Sequence, residues 1–166
     1  RRLLLGSMDK AQLERQRLMS LINSMGDGVV STDERGVIKL YNASALNILD
    51  TNSSLDEKNI DEVMMVIDQS AKVVDLIAEV AEGNSNLIST DHLLVYPDGE
   101  KINLYLNISP IKLSFQQNIE RGYIISFRDI THEKSLEEER NEFISVVSHE
   151  LRTPIAITEA NISNAQ

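Results

Sequence analysis

The sequence predicts an α+β fold in which strands and short helices are flanked by two amphipathic helices. Three observations predict it. Residues 8–25 carry apolar side chains at alternating spacings of three and four, as a helix does. Two long segments around Pro97-Asp98-Gly99-Glu100 have strand patterning, and in the second of them Ile102, Leu104, Leu106 and Ile108 alternate with polar residues. Beyond Thr131 helical spacing returns, with Leu136, Phe143, Ile144, Val146, Val147 and Leu151 on one broad arc at about 100° per residue.

The elements follow in order. Met8, Ala11, Arg15, Leu18, Ile22 and Met25 form a narrow heptad seam with one charged member. It suits a coiled coil, and a helix packed on its own domain would also satisfy it. Gly26-Asp27-Gly28 should end this helix. Val29–Thr32 and Val37–Tyr41 read as a hairpin around Asp33-Glu34-Arg35-Gly36. Asn42 is a good N-cap for a short helix holding Ala45, Leu46 and Leu49. Thr51–Ser54 is a polar loop, and Ile60–Asp68 and Ala71–Glu82 read as two further helices, the second broken at Gly83-Asn84-Ser85-Asn86. Leu87–Tyr96 and Lys101–Ile111 are the long strands of a second hairpin. A loop at Ser114–Glu120 leads to the last strand, Gly122–Phe127, and Asp129-Ile130-Thr131 opens the final helix.

Composition excludes several chemistries. The chain has 166 residues and 42% apolar content, enough for one domain with helical extensions. It has no cysteine, so disulfides, thiolate metal sites, cysteine nucleophiles and flavin–cysteine photochemistry are all ruled out. A formal charge of −10 without a basic cluster repels nucleic acid and anionic lipid. No apolar run approaches the roughly 18 residues of a membrane span, and Leu3-Leu4-Leu5 is too short for a signal peptide. The expected location is the cytoplasm, with any membrane anchor of a parent protein upstream. Gly6-Ser7-Met8 reads as a cloning junction, so residues 1–7 are expected to be vector-derived or disordered. The chain ends at Gln166 inside a helical pattern and reads as a fragment.

The order helix, β, β, three short helices, β, β, β, helix resembles a PAS domain. Gly28-Val29-Val30, Asp33, Gly36, Asn42, Asp98-Gly99 and the terminal Asp129-Ile130-Thr131 carry the resemblance, which covers about residues 19–131. It implies a five-stranded antiparallel sheet with short helices on one face. It also implies that Asp129 and Thr131 couple the sheet to the outgoing helix. PAS domains commonly bind a small molecule between sheet and helices. Met64, Met65, Val66, Ile67, Val73, Val74 and Ile77 could line such a cavity or fill it, and no ligand can be named. His92 lies in a strand and could face in or out; a surface or cross-strand role suits it better than haem ligation. His132, after the triplet, should lie outside a pocket. No cofactor or metal site is evident.

Ser148-His149-Glu150-Leu151-Arg152-Thr153-Pro154 then stands on the last helix, with His149 outside the apolar arc and toward water. Pro154 lacks an N–H, so the Glu150 carbonyl loses its helical partner and the backbone should loosen beside His149. This heptapeptide resembles the H-box of sensor histidine kinases, with Ile155 where leucine is more frequent. The resemblance implies that His149, which must be a neutral imidazole to attack, is the nucleophile toward the γ-phosphoryl group of ATP. Glu150 becomes a candidate general base or orienter. Thr153 is a candidate for positioning the water that dephosphorylates a response regulator, and Arg152 for contact with phosphate or an acidic partner. ATP and Mg²⁺ would serve the parent kinase. The kinase's Asn-rich and Gly-rich boxes are absent from this sequence, so this segment by itself should be inactive. The expected organisation is a signalling helix at 8–25, a PAS sensor domain at 26–131 and the start of a dimerisation and phosphotransfer helix at 132–166. The expected partners are a second copy, the kinase's own ATP-binding domain and a receiver domain. Two other readings stay open: a ligand-binding or dimerisation module without phosphotransfer, and a coiled-coil relay around an inert core.

Overall fold

The computed structural model describes residues 2–83 and 85–164, with side chains described within 6–152 except at Asn84 and Phe115. The chain divides into two units, residues 1–130 and 131–166. The first holds helix α1 (Arg2–Ser24), strands β1 (Gly28–Asp33) and β2 (Ile38–Tyr41), and helices α2 (Ala43–Ile48) and α3 (Ile60–Val63). It continues with β3 (Met65–Ile67), α4 (Leu76–Gly83), β4 (Leu87–Val95), β5 (Lys101–Phe115) and β6 (Asn118–Asp129). The second unit is helix α5 (Thr131–Asn164).

The strands form one antiparallel sheet in the order β2-β1-β6-β5-β4-β3, six strands rather than the five implied by the resemblance. Alternation builds its inner face. Val30 lies opposite Ile125, Ile125 opposite Ile108 and Ile108 opposite Leu87, a row of β-branched and leucine side chains across four strands. Leu104, Leu106 and Phe127 join it, all fully buried. The short helices cover this face with Ala45, Ile60, Leu76 and Val80. Burying each such side chain contributes about 1.5–3 kcal/mol, so the covered face is what makes the unit stable.

The turns are built from Asx geometry. The Asp33 carboxylate accepts from the Arg35 and Val37 N–H groups at 2.9 Å each, and that of Asp98 from Glu100 N–H at 2.9 Å. Gly36 and Gly99 follow with φ of 84° and 90°, a backbone conformation that residues with a Cβ adopt only under strain.

The sequence reading differs from the structure in four places. Ile60–Asp68 is not one helix: α3 lasts a single turn, and Met65–Ile67 is an edge strand paired with Leu93–Val95. Val66 and Ile67 are β-branched and find an open strand edge there, which outweighs a marginal short helix. Ala71–Glu82 is helical only from Leu76. The Asp68 carboxylate accepts from Ser70 and Lys72 N–H at 2.8 and 3.0 Å, and the resulting turn returns Val74 N–H to the Val66 carbonyl at 2.9 Å. Ser114–Glu120 is not a loop, because β5 and β6 stay paired to Phe115↔Asn118. Finally, α1 begins at Arg2 rather than Met8.

Candidate functional site

His149, Glu150 and Arg152 stand on α5, whose 34 residues correspond to about 50 Å of helix. His149 lies 18 residues past Thr131, or about 27 Å along the axis. All three residues are exposed. Helix continues through Pro154. The side chain of Thr153 lies outside the described residues. The apolar arc beside His149 is also open to solvent: Phe143 is 68% and Leu151 60% exposed. A lone helix has no second layer against which to bury a stripe, so the packed face read from the periodicity is a surface in the single chain.

Asp129 closes β6 and Thr131 opens α5; both are exposed. Between them the Ile130 N–H donates to the Asn103 carbonyl at 2.9 Å and fixes the end of β6 to β5. Tyr96 feels the charge of Asp129. Burial raises its phenol above the ordinary value, and the carboxylates of Asp129, Asp50, Glu100 and Asp98 push it further in that direction. The Tyr96 hydroxyl donates to the Ile48 carbonyl at 2.6 Å, joining the end of β4 to α2.

The space between sheet and helices is occupied by the protein itself. Leu55, Met64, Leu76, Leu94 and Phe127 are all nearly or fully buried. Among the described residues, every buried side-chain nitrogen and oxygen has a partner. Met65 and Val73 are exposed, so of the candidate lining residues these two face outward. His92 sits half-buried opposite Leu104, and its Nδ1 shares a 2.7 Å hydrogen bond with the Ser89 hydroxyl across a bulge in β4. Among the described residues, no three His, Cys, Asp or Glu side chains are grouped to hold a metal ion.

Sequence reasoning read Asn42 only as a helix cap. It is 2% exposed, and beside the capping bond from the Ala45 N–H its side chain makes three further hydrogen bonds. An asparagine before a helix signals the cap; its other partners are distant in sequence and leave no local mark.

A family model described as PAS domain matches residues 26–132. The chain belongs to the PAS domain family. It is also 34% identical, over 142 residues, to a sensor protein kinase WalK of Staphylococcus saprophyticus, covering 86% of this chain and 22% of that protein. A sensor protein kinase WalK of Staphylococcus aureus is 33% identical over the same length and is covered to 32%. The chain therefore spans between about a fifth and a third of the relatives it matches. A solved PAS domain of an HTR-like protein from Haloarcula marismortui superposes with a TM-score of 0.57 at 17% identity, over 75% of this chain and 98% of that one, and supports the fold. The PAS chain is thus similar in sequence to sensor protein kinases, and its α+β fold is the PAS fold. Among the described residues, no helix is long and apolar enough to cross a membrane.

Proposed function

We propose that this chain is the sensory and phosphoacceptor part of a two-component sensor histidine kinase. The observation that carries the reading is the heptapeptide Ser148–Pro154, exposed at His149 on a helix that follows a PAS unit, in a chain resembling sensor protein kinases. One ring nitrogen of His149 attacks the γ-phosphorus of ATP, a P–N bond forms and the bond to the ADP oxygen breaks. ATP and Mg²⁺ are brought by an ATP-binding domain of the parent protein. Glu150 hydrogen-bonds the N–H of the other ring nitrogen, as a general base that accepts its proton or as an orienter that holds the imidazole in the attacking tautomer. A receiver-domain aspartate then takes the phosphoryl group. Thr153 positions the water that later removes it, and Arg152 contacts phosphate or the acidic receiver face. The domain boundaries read from the sequence, with the sensor ending at residue 131 and the phosphotransfer helix beginning at 132, belong to the same proposal.

The test uses the parent protein with its ATP-binding domain and labelled ATP. Acid-labile label should appear in the wild type and vanish in His149→Gln. Full labelling of that variant would overturn the assignment. Glu150→Ala should slow labelling by about 10²–10⁴-fold if Glu150 acts as the base; an unchanged rate leaves it outside the chemistry.

A further inference from the structure

Within the PAS unit, α1 is bonded to the core through its last turn. The Asn42 Oδ1 accepts from Val29 N–H and Ala45 N–H, both at 2.9 Å, and these two bonds belong to the core: one opens β1, the other caps α2. The Asn42 Nδ2 donates to the Ile22 carbonyl at 3.0 Å and the Asp27 carbonyl at 2.9 Å, and these two belong to the incoming helix and its linker. The Ile22 carbonyl is among the last four of α1, which lack an i+4 helical partner, and it accepts also from the Met25 N–H at 3.3 Å. Two neighbours reinforce the joint. Ser44 donates to the Met25 carbonyl at 2.7 Å, and Ala43 N–H donates to the Asn23 side chain at 3.1 Å. Met19 and Ile22 are half-buried there, whereas the other described residues of α1 are exposed.

The joint continues across the sheet. The Asp27 carboxylate pairs with Arg128 at 3.4 Å, and the Arg128 guanidinium lies 5.1 Å from the centre of the Tyr105 ring on β5. Gly28 pairs with Phe127 in the same register, and a Cβ on Gly28 would stand 2.6 Å from the Phe127 ring. Arg128 is three residues before the start of α5.

We propose that Asn42 and the Asp27–Arg128 pair form a mechanical joint that delivers displacement of α1 to the end of β6, so that this PAS unit takes input from its N-terminal helix. A pull on α1 acts on the Ile22 and Asp27 carbonyls. Asn42 transmits it to β1 and α2, and Asp27 transmits it to Arg128. The core between them is closely packed by its own side chains, and close packing transmits strain. The joint concerns the PAS unit alone and stands whether or not His149 is phosphorylated.

Amide hydrogen exchange on this chain tests it. Asn42→Asp keeps both acceptor bonds, removes both donors and sets a carboxylate against two carbonyl oxygens. Amides of Leu18–Met25 and of Arg128–Thr131 should exchange at least about tenfold faster, with Leu104–Ile108 unchanged. Asp27→Asn breaks only the ion pair, so Arg128–Thr131 should speed up while Leu18–Met25 keeps its protection. The charge-reversed double variant Asp27→Arg with Arg128→Asp should restore the wild-type pattern. If Asn42→Asp also loosens Leu104–Ile108, the Asp27 and Arg128 variants decide alone. Unchanged exchange at Arg128–Thr131 in Asp27→Asn, or failure of the charge reversal to restore it, would overturn the relay.

Discussion

At the scale of single residues, the groups that matter most are those bonded at both ends. Tyr96 ties β4 to α2 through one short hydrogen bond. Tyr96→Phe keeps the ring and should cost about 0.5–1.5 kcal/mol, read from urea denaturation. Asp61 behaves differently. Burial raises its pKa above the usual carboxylate range, the Asp75 carboxylate adds to this, and a bond from the Leu76 N–H works the other way. The folded chain thus holds the Asp61 proton more tightly than the unfolded chain, so ionised Asp61 weakens the fold, and acid relieves the penalty. Asp61→Asn should raise the denaturation midpoint at neutral pH, and the gain should shrink as pH falls to about 4 and below. A gain that persisted at low pH would assign the effect to packing. Asp129 carries an expectation that rests on the proposed function: Asp129→Ala in the full-length protein should shift the balance of kinase and phosphatase activity without unfolding the core. Unchanged activities with an intact fold would make it a passive joint.

At the scale of elements, the β1–β6 pair organises the unit, since it lies between the hairpin edge and the long β5. Gly122 sits opposite Asp33, where a Cβ would meet the Thr32 carbonyl oxygen. Gly122→Ala must part the two strands there and should cost about 1–3 kcal/mol, with faster amide exchange confined to β1 and the neighbouring part of β6. Outgoing helix α5 is different in kind. Glu133, Glu137, Glu138, Glu139 and Glu142 make its first part charged, and only Leu136 offers an apolar anchor before Phe143. An element with so little apolar surface has little burial to hold it in one register, which on the proposed function suits a helix that must take two arrangements of similar energy.

For the whole molecule, most of the exposed large apolar side chains among the described residues lie on or beside the two flanking helices, while others such as Leu113, Ile119 and Ile124 lie on the strands. Met8, Leu18 and Met25 of the heptad seam are exposed, and Leu13 and Leu21 widen the apolar surface beyond it. On α5 the arc from Leu136 to Leu151 is exposed as well. Apolar stripes of this kind are stabilised by association, and the seam on α1 and the arc on α5 each suit parallel pairing with the same helix of a second copy. Light scattering at high micromolar concentration should show dimers, and Leu18→Glu should shift the population toward monomer. Monomers alone in the wild type would count against the pairing of these helices in the chain as it stands.

Much of this was legible in local sequence because it rests on local physics. Alternation at Ile102–Ile108 determined a half-buried strand, Asp98-Gly99 its turn and Asn42 a helix start, each through interactions within a few residues. The Ser148–Pro154 match likewise singled out His149 without any fold. Only the tertiary structure decided the rest. Met64–Val74 could be helix or strand by composition, and the open edge of β4 made part of it a sixth strand. The β5–β6 hairpin runs past the predicted loop because cross-strand pairing extends it, and polar composition alone cannot show pairing. The second half of Asn42's bonding, to Ile22 and Asp27, and the meeting of Asp27 with Arg128 join residues between 15 and 101 positions apart. Periodicity and propensity describe neighbours along the chain, whereas these contacts exist only once the sheet has brought its two ends together.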